Sequence, residues 1–172
     1  MGVERNIEVS VGNRDAAHTR LGPVSNDDTP FLFALYASTR EEELSVVPWT
    51  PEQKNAFLRM QFQAQQTSYD GNYPGASRDL ILLGEEPIGR LYVQRTPDEI
   101  RVIDIALLPA WRGRGIGSRY LRDLCRESDA TGIPLAIHVE KQNRALQLYQ
   151  RLGFAIADDR GVYWFMKRMP AS

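Results

Sequence analysis

The sequence predicts an α/β fold: a mixed, mostly antiparallel sheet with helices on its faces. Three observations predict it. Residues 79–108 read as two hairpins in series, with Gly84-Glu85-Glu86-Pro87 and Arg95-Thr96-Pro97-Asp98 as the turns between apolar runs. Residues 99–139 read as strand, Gly/Arg-rich loop, helix and strand, a unit whose two strands run parallel through a right-handed crossover. The chain then closes with a helix from Asn143 to Leu152, stopped by Gly153, and two final strands. With 172 residues, one domain is the default. The expected division is a tail or extra strand over 1–17 and a single domain over 18–172.

In order along the chain, Met1 to Ala17 is polar, with Gly12-Asn13 as a turn signal and a loose strand around Ile7 to Val11. Thr19 to Val24 reads as extended. Asn26-Asp27-Asp28-Thr29 ahead of Pro30 is a helix entry, and Phe31, Leu32, Leu35 and Tyr36 follow at helical spacing. Glu41-Glu42-Glu43 and Val46-Val47-Pro48-Trp49 read as a second short helix and its exit. Thr50-Pro51-Glu52-Gln53 opens another helix, with Phe57, Met60, Gln61 and Ala64 as its inward stripe. Tyr69 to Ala76, which contains Gly71, Asn72, Pro74 and Gly75, reads as loop. Strands follow at 79–83, 88–94 and 99–108. A helix at 116–130 carries Tyr120, Leu121, Leu124 and Cys125 on one face, and a strand occupies 135–139. Strands at 154–157 and 162–166 flank a turn at Asp158-Asp159-Arg160-Gly161.

Composition narrows the function. The chain is 42% hydrophobic and 25% charged, which is globular. Lys+Arg of 21 against Asp+Glu of 22 leaves a net charge of −1, without the basic excess of a non-specific nucleic-acid binder. No apolar run approaches the roughly 18 residues of a membrane span, and Met1 to Ser10 has no secretory apolar stretch. Cys125 is the single cysteine and His18 and His138 the only histidines, so no disulfide, zinc finger or other metal site is expected. The expectation is a soluble cytoplasmic domain with no nucleic-acid or membrane partner.

The segment richest in chemistry is Pro109-Ala110-Trp111-Arg112-Gly113-Arg114-Gly115-Ile116-Gly117-Ser118. A strand runs into a glycine-rich loop that opens a helix. Free backbone N–H groups converge there, and the helix start adds roughly half a positive charge. Glycines let a phosphate approach the backbone, and Arg112 and Arg114 add donors. Diphosphate suits such a loop; a strand-to-helix turn with solvated arginines is the plain alternative. A P-loop is excluded because no lysine ends the loop. A dinucleotide fingerprint lacks its third glycine, since Ser118 stands there.

Arg112-x-x-Gly115-x-Gly117, after a strand ending Ile105-Ala106-Leu107-Leu108-Pro109, resembles motif A of the GNAT superfamily of N-acetyltransferases. Asn143-Arg144-Ala145-Leu146-Gln147-Leu148-Tyr149-Gln150-Arg151-Leu152-Gly153-Phe154 resembles its motif B. The likeness covers residues 78–168, and in element order reaches back to about residue 18. It implies a sheet splayed between two parallel strands, acetyl-CoA as cosubstrate and an amine acceptor, either a small molecule or a protein N-terminus. It further implies that the backbone of Ile105, Ala106 and Leu107 bonds the pantetheine arm. Arg112, Gly113, Arg114, Gly115, Ile116, Gly117 and Ser118 would hold the diphosphate, and Asn143 would bond the arm. Asn143 lies six residues before Tyr149 where many members have seven. Family members are often dimers, so a homodimer is in scope.

Tyr149 matches the family tyrosine that protonates the leaving thiolate; a phenol suits that task. Taken without the family, its stripe with Ala145, Leu148 and Leu152 reads as core. Three residues compete for the amine. His138 stands where some N-terminal acetyltransferases carry a glutamate and suits base work near neutrality. Asp104 stands at the mouth of the splayed strand, where the resemblance implies an acid that holds or deprotonates the amine; among Val102, Ile103, Ile105 and Ala106 a carboxylate is costly to bury unless it has a partner or meets solvent. Glu140 ends the next strand. With no activated Ser or Cys in view, direct attack in a ternary complex is expected, a non-catalytic acetyl-CoA-binding module being the alternative.

Overall fold

A computed structural model describes Ala16 and residues 18–172. The expected strand at Ile7 to Val11 lies outside the described residues. Strands β1 (Thr19–Pro23), β2 (Ser77–Leu83), β3 (Glu86–Arg95), β4 (Ile100–Leu107), β5 (Leu135–Glu140), β6 (Ala155–Arg160) and β7 (Tyr163–Arg168) form one seven-stranded sheet in the order β1-β2-β3-β4-β5-β7-β6. Among the described residues only β4 and β5 pair in parallel. Every other neighbouring pair is antiparallel, as expected.

Helices cover both faces. α3 (Ile116–Thr131) and α4 (Leu146–Arg151) pack on one, where Leu121, Leu124 and Tyr149 meet Ile81, Val102, Leu135 and Ile137 in the main core. α1 (Thr29–Ser45) and α2 (Pro51–Asn72) pack on the other, where Leu32, Tyr36 and Phe62 close over Leu80. Successive β2 residues, Leu80 and Ile81, thus serve opposite cores, the period-two alternation of a strand buried on both faces. Among the described residues no helix is long and apolar enough to cross a membrane.

The sheet is divided by its parallel pair. β4 and β5 pair only from Ile100↔Leu135 to Val102↔Ile137. Beyond that, β4 stays with β3 as far as Leu107↔Gly89, and β5 stays with β7 as far as Glu140↔Tyr163. The facing edges of β4 and β5 therefore part into a wedge. A β-bulge marks the parting: Tyr92 opposes Asp104 and Val93 opposes Val102, so Ile103 is the extra residue of β4. A bulge bends its strand, and this one bends β4 where the wedge begins.

Several local expectations need correction. No second short helix occupies Glu41–Glu43; α1 runs unbroken to Ser45. Nothing between Ser38 and Glu43 breaks a helix, because the Ser38 and Thr39 hydroxyls bond back to the Leu35 and Tyr36 carbonyls. The Thr50–Gln53 capping box starts α2 as expected, with Gln53 N on Thr50 Oγ1 at 3.2 Å and Thr50 N on Gln53 Oε1 at 2.9 Å. Its inward stripe is Leu58, Phe62, Gln65 and Tyr69, while Met60 is 59% exposed and Ala64 faces out. Two polar members hid that stripe. α2 also continues through Tyr69-Asp70-Gly71-Asn72, read above as loop, because Tyr69 and Asp70 are bonded to the sheet side. The last two strands are longer than expected, so Asp158–Arg160 pair and the turn tightens to Gly161-Val162. α4 begins at Leu146 rather than beside Asn143.

Candidate active site

The Gly/Arg loop sits at the open end of the wedge. Pro109–Trp111 form a 3₁₀ turn, and Gly113 and Gly115 follow at φ +72° and +80°. Both are left-handed, a region that costs other L-residues roughly 1–2 kcal/mol. A Cβ at either position would meet nothing within 4 Å. The glycines thus serve the turn of the backbone, and the space over the loop is open. Gly115 is the N-cap of α3, and buried Ile116 anchors that helix in the core. Gly117 packs beside Ile105, and Ser118 is half-buried in the first turn. Arg114 lies 4.8 Å over the Trp111 ring. Arg112 turns back: its Nε donates to the Leu107 carbonyl at 2.9 Å and its Nη2 to Ser38 Oγ of α1 at 3.2 Å.

Ile105, Ala106 and Leu107 lie in the part of β4 that has left β5, with Ile105 and Leu107 turned into the main core. Across the wedge, Glu140 ends β5 and sits 3.6 Å from Arg40 of α1. Asn143 follows, bonded through its N–H to the Glu140 carbonyl; its Oδ1 accepts from Ala145 N at 2.8 Å and caps the turn leading into α4. The sequence-predicted cofactor residues are brought together around one opening.

Tyr149 approaches from the α3–α4 side. It is 5% exposed and packs edge-on against Phe154. Burial, with the negative charge of Asp104 second, pushes its phenol up to about 12. No side chain among the described residues hydrogen-bonds its hydroxyl.

Asp104 belongs to the α2 side and does have a partner. Its Oδ2 takes Arg90 Nη2 of β3 at 2.6 Å and the Tyr69 hydroxyl of α2 at 2.7 Å. Arg90 is 2% exposed and the Asp104 side chain 13%. Arg90 Nη2 also reaches Gln65 Oε1 at 2.9 Å, and its guanidinium lies 5.2 Å over the Tyr92 ring. Burial first, then Asp104, raises the Tyr69 phenol far above its ordinary value. Asp104 is legible as a candidate in the sequence, whereas Arg90 and Gln65 are not; alternation along β3 is the signal that puts Arg90 on the face of Tyr92.

His138 is exposed on the same face, stacked at 4.9 Å on Phe165. Partial burial lowers its pKa, and Arg101 and Arg160 lower it further against an opposing pull from Glu99. The neutral imidazole is therefore favoured near neutrality. His138 and Tyr69 share a pocket of about 330 Å³ with Tyr73, Arg101, Ile103 and Tyr163. Since Ile103 is the bulge residue, this pocket meets the wedge at its apex. Arg101 in its wall is held by Glu99 at 2.6 Å. Glu140, the third candidate, is not among the pocket's walls.

Comparison with known proteins bears on this arrangement. A family model described as the Acetyltransferase (GNAT) family matches residues 32–154. N-alpha-acetyltransferase RimI of Mycobacterium tuberculosis is 34% identical over 118 residues, covering 68% of each chain. Mycothiol acetyltransferase of Corynebacterium glutamicum is 30% identical over 118 residues; the match covers 67% of this chain but only 39% of that protein. Among solved structures, the PaiA N-acetyltransferase of Thermoplasma acidophilum in complex with coenzyme A superposes with a TM-score of 0.65 at 15% identity, covering 88% of this chain and 98% of that one. A GNAT family acetyltransferase of Elizabethkingia anophelis with acetyl-CoA bound gives 0.55 at 18% identity, covering 88% and 98%. At those identities the two structures speak for the fold.

Proposed function

The chain belongs to the GNAT family of acetyltransferases, and from that premise we propose that it transfers the acetyl group of acetyl-CoA to a primary amine by direct attack in a ternary complex. Residues 18–172 form the catalytic domain. The observation that carries this reading is the wedge. Its unpaired strand edges run from the Gly/Arg loop at one end to the Tyr69–His138 pocket at the other. Cosubstrate and acceptor then meet at the apex from opposite sides.

The residues fit an acetyl-CoA guest. The β4 edge at Ile105–Leu107 offers ladder groups to the pantetheine amides, as another strand would. The loop from Arg112 to Ser118, with its open left-handed glycines and the α3 N-terminus, takes the diphosphate. Asn143 bonds the arm from the β5 side. His138, neutral at working pH, takes a proton from the acceptor ammonium. Asp104, neutralised by Arg90, acts from behind the pocket through the hydroxyl of Tyr69 that it holds. The nitrogen attacks the acetyl carbon, the C–N bond forms and the C–S bond breaks. Tyr149, whose raised pKa keeps it protonated, gives its proton to the thiolate and is re-protonated as the second amine proton leaves.

Titration calorimetry with acetyl-CoA, followed by CoA release over a panel of amines and an alanine-initiated peptide, tests the proposal. Binding with transfer to at least one amine is expected. Binding without transfer to any makes the chain an acetyl-CoA-binding module instead.

A further inference from the structure

The proposed reaction requires a group that holds the acceptor nitrogen while it gives up its proton. Tyr69 stands in the last turn of α2 and shares the pocket with His138 and Tyr163. Its hydroxyl and Arg90 both reach Asp104 Oδ2, and Arg90 also bonds Gln65, one helical turn before Tyr69. The direction of these bonds is fixed. A guanidinium has donors only, and a carboxylate paired with it has lone pairs only, so Tyr69 must be the donor to Asp104. Tyr69 lines the pocket, and with its single hydrogen given to Asp104 its oxygen keeps only lone pairs.

We propose that Tyr69 is a substrate-contacting residue of the transferase: its oxygen accepts an N–H bond from the acceptor amine and aims the nitrogen at the thioester, with Asp104 and Arg90 as positioning residues that fix its hydrogen. This rests on the transferase function proposed for the chain. An alkylammonium has three hydrogens. One is held by Tyr69, one passes to His138, and the lone pair that this frees forms the new C–N bond as the C–S bond breaks. An alcohol has a single hydrogen and cannot serve both groups, so the pocket selects nitrogen over oxygen acceptors.

The test compares wild type with Tyr69→Phe and Asp104→Asn, using acetyl-CoA with spermidine, glucosamine and an alanine-initiated peptide. Tyr69→Phe keeps the ring and removes the lone pairs. The acceptor KM should rise at least tenfold while acetyl-CoA affinity stays within twofold, a split that general loosening of the fold would not give. Should that variant fail to fold, Asp104→Asn carries the same readout. If wild type transfers and either folded variant keeps the wild-type acceptor KM, the role of Tyr69 is overturned and the transferase function stands. If wild type binds acetyl-CoA and acetylates none of the three, the transferase function falls, and this assignment with it.

Discussion

The Arg90 guanidinium and the Asp104 carboxylate meet at 2.6 Å across β3 and β4, one residue beyond the bulge that opens the wedge. Arg90 is buried and Asp104 is largely covered, so each charge depends on the other. Removing one partner of a buried pair typically costs about 3–5 kcal/mol, because the survivor is left desolvated and alone. Arg90→Met should therefore destabilise the fold by that order in urea unfolding. Asp104→Leu in the same chain should restore part of the loss, since the two sites are in contact and their effects do not add. Full additivity would mean that the pair is not coupled.

Gly115→Asp places a Cβ and a negative charge where the diphosphate is proposed to sit, at φ +80°. Acetyl-CoA affinity by calorimetry should fall at least tenfold, about 1.4 kcal/mol. Gly115→Ala carries the backbone strain without the charge and should retain more affinity. Equal losses in the two would assign the effect to strain alone.

Tyr149→Phe keeps the edge contact with Phe154 and removes one hydroxyl. In its proposed role as proton donor to sulfur, Tyr149 should be worth on the order of 10²-fold in kcat, with acetyl-CoA affinity little changed. A variant as fast as wild type returns Tyr149 to a packing role.

The lowered pKa of His138 sets the sign of a pH profile. A base works deprotonated, so the rate should rise with pH and level off, with the acidic limb below the ordinary histidine value of about 6.5. His138→Ala should lower kcat and abolish that limb, whereas Asp104→Asn should act mainly through acceptor KM. A limb that survives in the His138 variant locates the base elsewhere.

The parts of this site that could be read from the sequence are those fixed by local backbone demands. Gly113 and Gly115 announce a left-handed turn, and Gly153 a helix stop, whatever packs around them. The two motifs that carried the family resemblance are built on such positions. The α2 side is different. Asp70-Gly71-Asn72 has loop composition, yet the helix continues through it, where Tyr69 bonds Asp104 and Asp70 pairs with Arg78. Its inward face includes Gln65 because a buried arginine needs an acceptor there, and no hydropathy pattern reveals that. The Ile103 bulge is likewise set by pairing with β3, so the spot where the wedge opens could be inferred from the resemblance but not from the β4 sequence itself.

A crystal structure with acetyl-CoA bound tests the proposed transferase site most directly. Pantetheine should lie between β4 and β5 beyond Val102 and Ile137, diphosphate on the N–H groups of Gly113 to Gly117, and the thioester sulfur within hydrogen-bond reach of the Tyr149 hydroxyl with its carbonyl carbon open to the Tyr69–His138 pocket. Acetyl-CoA bound outside the wedge, or a thioester turned away from both Tyr149 and that pocket, would contradict that placement.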